Sequence, residues 1–141
     1  ALLHAVCAPR YFEIGDTDNQ FKYNNYLNRY HYRHMDIMEI LSGYSAKSYA
    51  PLDDIAKMLN LPGKITLSGK EVFKKFTEGK IDEIRNYCEL DVLNTYLIFL
   101  RFGLIRGQIN ETQYFSYLTL LKDTLESENK EHFQLFLKHW L

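Results

Sequence analysis

The feature that most constrains this chain is the apolar run that opens at Ile81 and continues to about Arg106, "IDEIRNYCELDVLNTYLIFLRFGLIR". It carries no proline and begins with Asp82 and Glu83, acids that favour the positive end of a helix. The pattern predicts one helix, with Gly103 as a point of bending, roughly 35 to 40 Å long if unbroken. A helix of that length needs partners along its sides, and the flanking sequence supplies them. "APLDDIAKMLNLPG" predicts a helix entered through Pro51 and stopped by Pro62-Gly63, with Leu52, Ile55, Ala56 and Leu59 inward. Ser68 with Glu71 has the spacing of a capping box for a helix that buries Val72, Phe73 and Phe76. "NETQYFSYLTLLKDTLES", capped by Asn110, and "NKEHFQLFLKHWL" read as two closing amphipathic helices. Their stripes are Tyr114, Tyr117, Leu118, Leu121 and Leu125, then Phe133, Phe136, Leu137 and Trp140. "MDIMEILS" is too short for periodicity to separate strand from helix.

The chain is therefore expected to be mainly α. At 141 residues, 46% of them apolar, it can bury one core. Seventeen basic residues balance 18 acidic ones, a net charge of -1, so any attraction to nucleic acid must be local. Two cysteines make no disulfide framework, no run reaches the length of a membrane span, and no signal peptide is evident, so the expected location is the cytoplasm. The start at Ala1, without methionine, suggests a piece of a longer protein.

Within the long helix, Tyr87 and Asp91 lie four residues apart and so share a face. A carboxylate can hold a divalent ion that activates water, and a neighbouring hydroxyl can orient that water for in-line attack on a phosphodiester. The same spacing also fits a solvated Asp beside a half-buried Tyr, and three Tyr-x-x-x-Asp pairs occur where chance predicts fewer than one. The other two, Tyr32 with Asp36 and Tyr49 with Asp53, fall where helix is ambiguous or interrupted by Pro51.

"YCELD" resembles the third motif, Tyr-x-x-x-Asp, of the DEDDy 3'-5' exonucleases, in the form seen in family-B DNA polymerases. Together with "APRYFE", "NNYLNRYHYRHMDIMEILSGY", "APLDDIAKMLNLPGK" and "YCELDVLNTYLIFLRFGLIRGQ", it is similar to a bacterial family of predicted 3'-5' exonucleases related to the polymerase-B proofreading domain. The resemblance covers residues 1 to about 110. It implies that this is the C-terminal helical portion of an α/β RNase H-like exonuclease domain, with residues 1–109 in that domain and 110–141 a helical extension of it. It further implies that Asp91 is a catalytic, metal-binding carboxylate, that Tyr87 orients the attacking water, and that the complete domain uses two Mg2+ or Mn2+ ions on a single-stranded DNA 3' end, with RNA as the alternative substrate. Asp36 matches a block that is not a metal motif and is expected to be structural. The family's Asp-x-Glu motif and its Phe-Asp or Tyr-Asp motif are both absent from the chain, leaving one of four metal acids. A chain so composed is expected to lack nuclease activity by itself and to expose apolar surface that permits self-association.

Other patterns point elsewhere. Tyr26, Arg29 and Arg33 belong to a stretch from Tyr11 to His34 that interleaves aromatic and basic side chains, suited to stacking bases and meeting phosphates, or to packing of tyrosines on the domain body. His4-x-x-Cys7 with His31-x-x-His34 imitates four zinc ligands at a spacing unlike common fingers. "DDIAKMLNLPG" offers the rival reading, the first half of a helix-turn-helix in a non-catalytic nucleic-acid-binding or interaction module; the next segment, "KITLSGKEVFKKF", lacks a base-reading set of Arg, Asn or Gln. "GKITLSGK" has five residues between its glycines where a phosphate-binding loop has four, and Glu71 where Ser or Thr is needed.

Overall fold

The structure, a computed structural model, describes residues 35–140. Among these there are helices and no strands, which agrees with the mainly α expectation. The chain divides into two compact units, Ala1–Tyr49 and Ala50–Leu141. In the first, α1 (Ile37–Leu41) resolves the ambiguity of "MDIMEILS" in favour of helix. Asp36 is its N-cap, with Oδ1 accepting from the backbone N–H of Met38 at 3.0 Å and of Glu39 at 3.1 Å. That carboxylate occupies a structural post because the orphan N–H groups of a first turn need an acceptor. A short 3-10 turn, Ala46–Ser48, comes next.

The second unit holds α2 (Leu52–Met58), α3 (Val72–Thr77), α4 (Ile81–Ile105), α5 (Glu111–Glu128) and α6 (Glu131–His139). Helix α4 is the central element, with α2, α3, α5 and α6 all packed on it. Its inward side is Leu90, Asn94, Leu97, Ile98 and Leu100; Leu97 and Ile98 are almost wholly buried. Tyr114 and Leu125 of α5, and Phe133, Phe136 and the adjoining Trp140, close that core. Aromatic rings and cations tie the helices together. The Arg101 guanidinium lies 5.1 Å from the Tyr114 ring, Lys122 Nζ 4.7 Å from Trp140, and Phe136 meets Trp140 edge to face. His132 of α6 reaches Glu89 of α4 at 2.6 Å.

Local chemistry sets the ends. Asn110 caps α5 in a full capping box, its Oδ1 taking the Gln113 N–H while Gln113 Oε1 takes the Asn110 N–H. Helix α2 stops at Met58, four positions before Pro62. Asn60 adopts a left-handed φ of 56°, Leu61 N–H bonds back to Ala56 at 2.9 Å, and Asn60 N–H to Lys57 at 3.0 Å. That is a Schellman closure with buried Leu61 as its apolar lid, so Asn60 terminates the helix and not the Pro-Gly pair. Pro51 is likewise the residue before the first helical position.

The Ser68 box forms in half. Glu71 accepts from the Ser68 N–H and hydroxyl, both at 2.9 Å, but the helix begins only at Val72 and its Phe73 and Phe76 are exposed. The Glu71 N–H goes to the Ser68 backbone carbonyl at 2.9 Å, so the second half of the box, an N–H on the Ser68 hydroxyl oxygen, does not form. Residues 59 to 71 separate α2 from α3, and α3 has six residues, so these two helices do not make the tight helix-turn-helix of the rival reading.

Candidate active site

The candidate site is built on α4 and on the loop after α2. Tyr87 and Asp91 both lie within α4, one turn apart and partly buried, as the spacing required. Burial, then a side-chain hydrogen bond with Asp91 and the negative charge of that carboxylate, push the Tyr87 phenol up to about 12. The phenol therefore keeps its proton at physiological pH, beside the Asp91 carboxylate.

One turn further along α4, Asn94 plays a part that no motif in the sequence announces. Its side chain is about 1% exposed and satisfies both polar groups of Gly63: Oδ1 accepts the Gly63 N–H at 3.0 Å, and Nδ2 donates to the Gly63 carbonyl at 2.9 Å. Nδ2 also meets the Leu90 carbonyl at 3.1 Å. The next peptide is held from the other side, where Asp53 Oδ1 accepts the Lys64 N–H at 2.7 Å and Oδ2 pairs with Lys57 at 2.6 Å. The Lys57 bond and then the Lys64 N–H hold the Asp53 carboxyl below its usual range. Gly63 is obligatory here on two counts: its φ is +65°, and a methyl group on it would lie 2.6 Å from Asp53 Oδ1.

The result is a fixed platform from which Lys64 projects. Its Nζ lies 5.9 Å from the centre of the Tyr87 ring. Gly69 approaches the same tyrosine, a methyl group there falling 3.8 Å from the phenol oxygen. A carboxylate, a protonated phenol and an ammonium thus gather around one face of α4, a set able to position water and a phosphate oxygen. The signal for Asn94 was present in the sequence as the single amide among Leu90, Leu97 and Ile98; the signal for Lys64 was its place directly after Pro-Gly.

Asp91 supplies one carboxylate toward a metal. Among the described residues no group of three or more His, Cys, Asp or Glu side chains comes together. This donor set fits one arm of a divalent-ion site and is too small for a whole two-ion centre. Tyr26, Arg29 and Arg33, and the His4, Cys7, His31 and His34 quartet, lie outside the described residues. No helix among the described residues is long and apolar enough to cross a membrane.

Fold and site together define a helical domain that offers an acid and a phenol from one long helix beside an anchored lysine. The chain belongs to the family of predicted 3'-5' exonucleases related to the exonuclease domain of PolB, whose model matches residues 1–140. No curated protein and no solved structure matches it.

Proposed function

We propose that Asp91 and Tyr87 are the metal-binding carboxylate and the water-orienting phenol of a DEDDy-type 3'-5' exonuclease, and that this chain is the C-terminal portion of its RNase H-like domain. The observation that carries the reading is geometric: the phenol and the Asp91 carboxylate stand one turn apart on α4, both partly buried, with Lys64 Nζ 5.9 Å from the centre of the phenol ring. Its substrate is a single-stranded DNA 3' end, with RNA as the alternative, and its setting the cytoplasm.

Asp91 would hold a divalent ion, Mg2+ or Mn2+, shared with carboxylates from the two acidic motifs this sequence lacks. Such a pair of ions supplies charge neutralisation at the scissile phosphate and a more acidic bound water. Tyr87 directs the attacking water by hydrogen bonding, a role that requires the phenol to keep its proton through turnover. Lys64 carries positive charge on a backbone anchored at two consecutive peptides, and its ammonium offsets negative charge on a phosphate oxygen without a reorganisation cost in its main chain.

The test uses the longest natural form of the protein, a 5'-labelled single-stranded oligonucleotide and Mg2+ or Mn2+. Shortening from the 3' end is expected; Asp91→Asn should abolish it, and Tyr87→Phe should slow it by at least about a hundredfold with little change in KM. The 141-residue chain alone should be inactive. Cleavage that survives Asp91→Asn, or activity of the short chain that Asp91→Ala removes, would overturn the assignment in its first or last part.

A further inference from the structure

Helix α3 presents its bulkiest apolar side chains outward. Phe73 and Phe76, three residues apart and so on one face, are 76% and 62% exposed, while Val72 is half-buried. Two exposed benzyl groups on a six-residue helix contribute little to its fold. The charge around them is equally one-sided. Residues 64–80 carry five lysines against two glutamates, within a chain whose net charge is -1.

Hydrogen bonds and ion pairs show which charges are spent. Glu71 accepts from Ser68 and keeps its negative charge, with the charges of Lys75 and Lys74 near it, and Glu78 sits 3.1 Å from Lys80 and 4.0 Å from Lys74. Lys75 is committed to Glu83 of α4 at 2.7 Å, which also pins α3 to that helix. Lys70 makes no ion pair with a described residue, and Lys74 has one long contact, to Glu78 at 4.0 Å. The segment begins at Gly69, next to the Tyr87 hydroxyl.

We infer that Phe73 and Phe76, with Lys70 and Lys74, form a stacking surface for single-stranded nucleic acid. This surface deepens the proposed function and rests on it for the direction in which the strand runs. Flat rings with a π-face accept unpaired bases of any sequence, and lysines between them meet the intervening phosphates. The five lysines and two glutamates of residues 64–80 leave this segment net positive, which favours a polyanionic strand, whose bases meet the rings and whose phosphates meet the lysines, over a protein partner. Substrate bound there lies on the segment that leads to Tyr87, so α3 supplies grip a few nucleotides from the reacting end.

The experiment measures fluorescence anisotropy of a labelled oligothymidylate about twelve nucleotides long, titrated with the protein in EDTA so that no cleavage occurs. Phe73→Ala with Phe76→Ala should weaken binding by roughly tenfold or more. Phe73→Leu with Phe76→Leu should weaken it comparably, and Phe73→Tyr with Phe76→Tyr should preserve it. Lys70→Ala with Lys74→Ala should flatten the plot of log affinity against log salt by about 0.7 per lysine. All four positions being exposed, unchanged melting temperatures serve as the folding control. No binding by the wild-type protein, equal binding by the alanine and wild-type proteins, or full binding by the leucine pair each overturns the proposal. The two readings fail separately. Cleavage that depends on Asp91 with binding indifferent to the phenylalanines removes only this surface, and ring-dependent binding with cleavage indifferent to Asp91 removes only the nuclease assignment.

Discussion

At the scale of single residues, two side chains on α4 carry most of what is unusual. An ordinary tyrosine ionises near 10 in an unfolded chain, whereas Tyr87 keeps its proton to about 12. Between those values the unfolded state binds fewer protons than the folded one, so the tyrosine's contribution is fully present below about pH 10 and is lost as pH rises toward 12. The phenolate absorbance of the wild-type protein minus that of Tyr87→Phe should show one group ionising late; a difference curve centred near 10 would contradict the buried pairing with Asp91. Asn94 is the second. Its truncation to alanine strands a buried N–H and a buried carbonyl of Gly63, each worth about 1 to 3 kcal/mol, so a loss of about 2 to 6 kcal/mol in urea unfolding is expected. A loss under about 1 kcal/mol would mean that the loop is held by other contacts.

At the scale of elements, capping chemistry is the most local test. Asn110→Ala removes one half of the box that starts α5 and should cost about 1 kcal/mol, read as a lowered thermal midpoint without loss of helical signal below it. This cap, the extent of α4 and the two closing helices were legible because each rests on bonds between residues close in sequence or on an uninterrupted 3.6-residue pattern. The pairing of Tyr87 with Asp91 was legible for the same reason. The stop of α2 was not, since Asn60 and Pro62-Gly63 are both credible terminators and only the backbone bond from Leu61 to Ala56 separates them. Nor was the outward turn of Phe73 and Phe76: at six residues α3 is too short for period to identify its buried side, and Val72 with the Lys75–Glu83 pair decides it instead. The clamp on Gly63 joins residues 31 apart, a separation at which no sequence pattern reports.

At the scale of the molecule, every fully buried apolar side chain among the described residues falls between Ala56 and Trp140. Residues 50–141 therefore hold an apolar core of their own and should fold without the preceding unit, giving a helical circular dichroism spectrum and one cooperative melt. A broad, featureless transition would show that the helices depend on residues before Ala50. The amide of Asn94 has a last implication, for insertions and deletions. A side chain gripping both the N–H and the carbonyl of one residue fixes the phase of the helix against the loop, and each added helical residue rotates the remainder of the helix by about 100°. Lengthening the connection between residues 65 and 70 leaves the grip and the acid in step, whereas a single residue added between Asp91 and Asn94 would swing one away from the other. Length variation in natural or engineered versions should thus be confined to the first stretch and barred from the second.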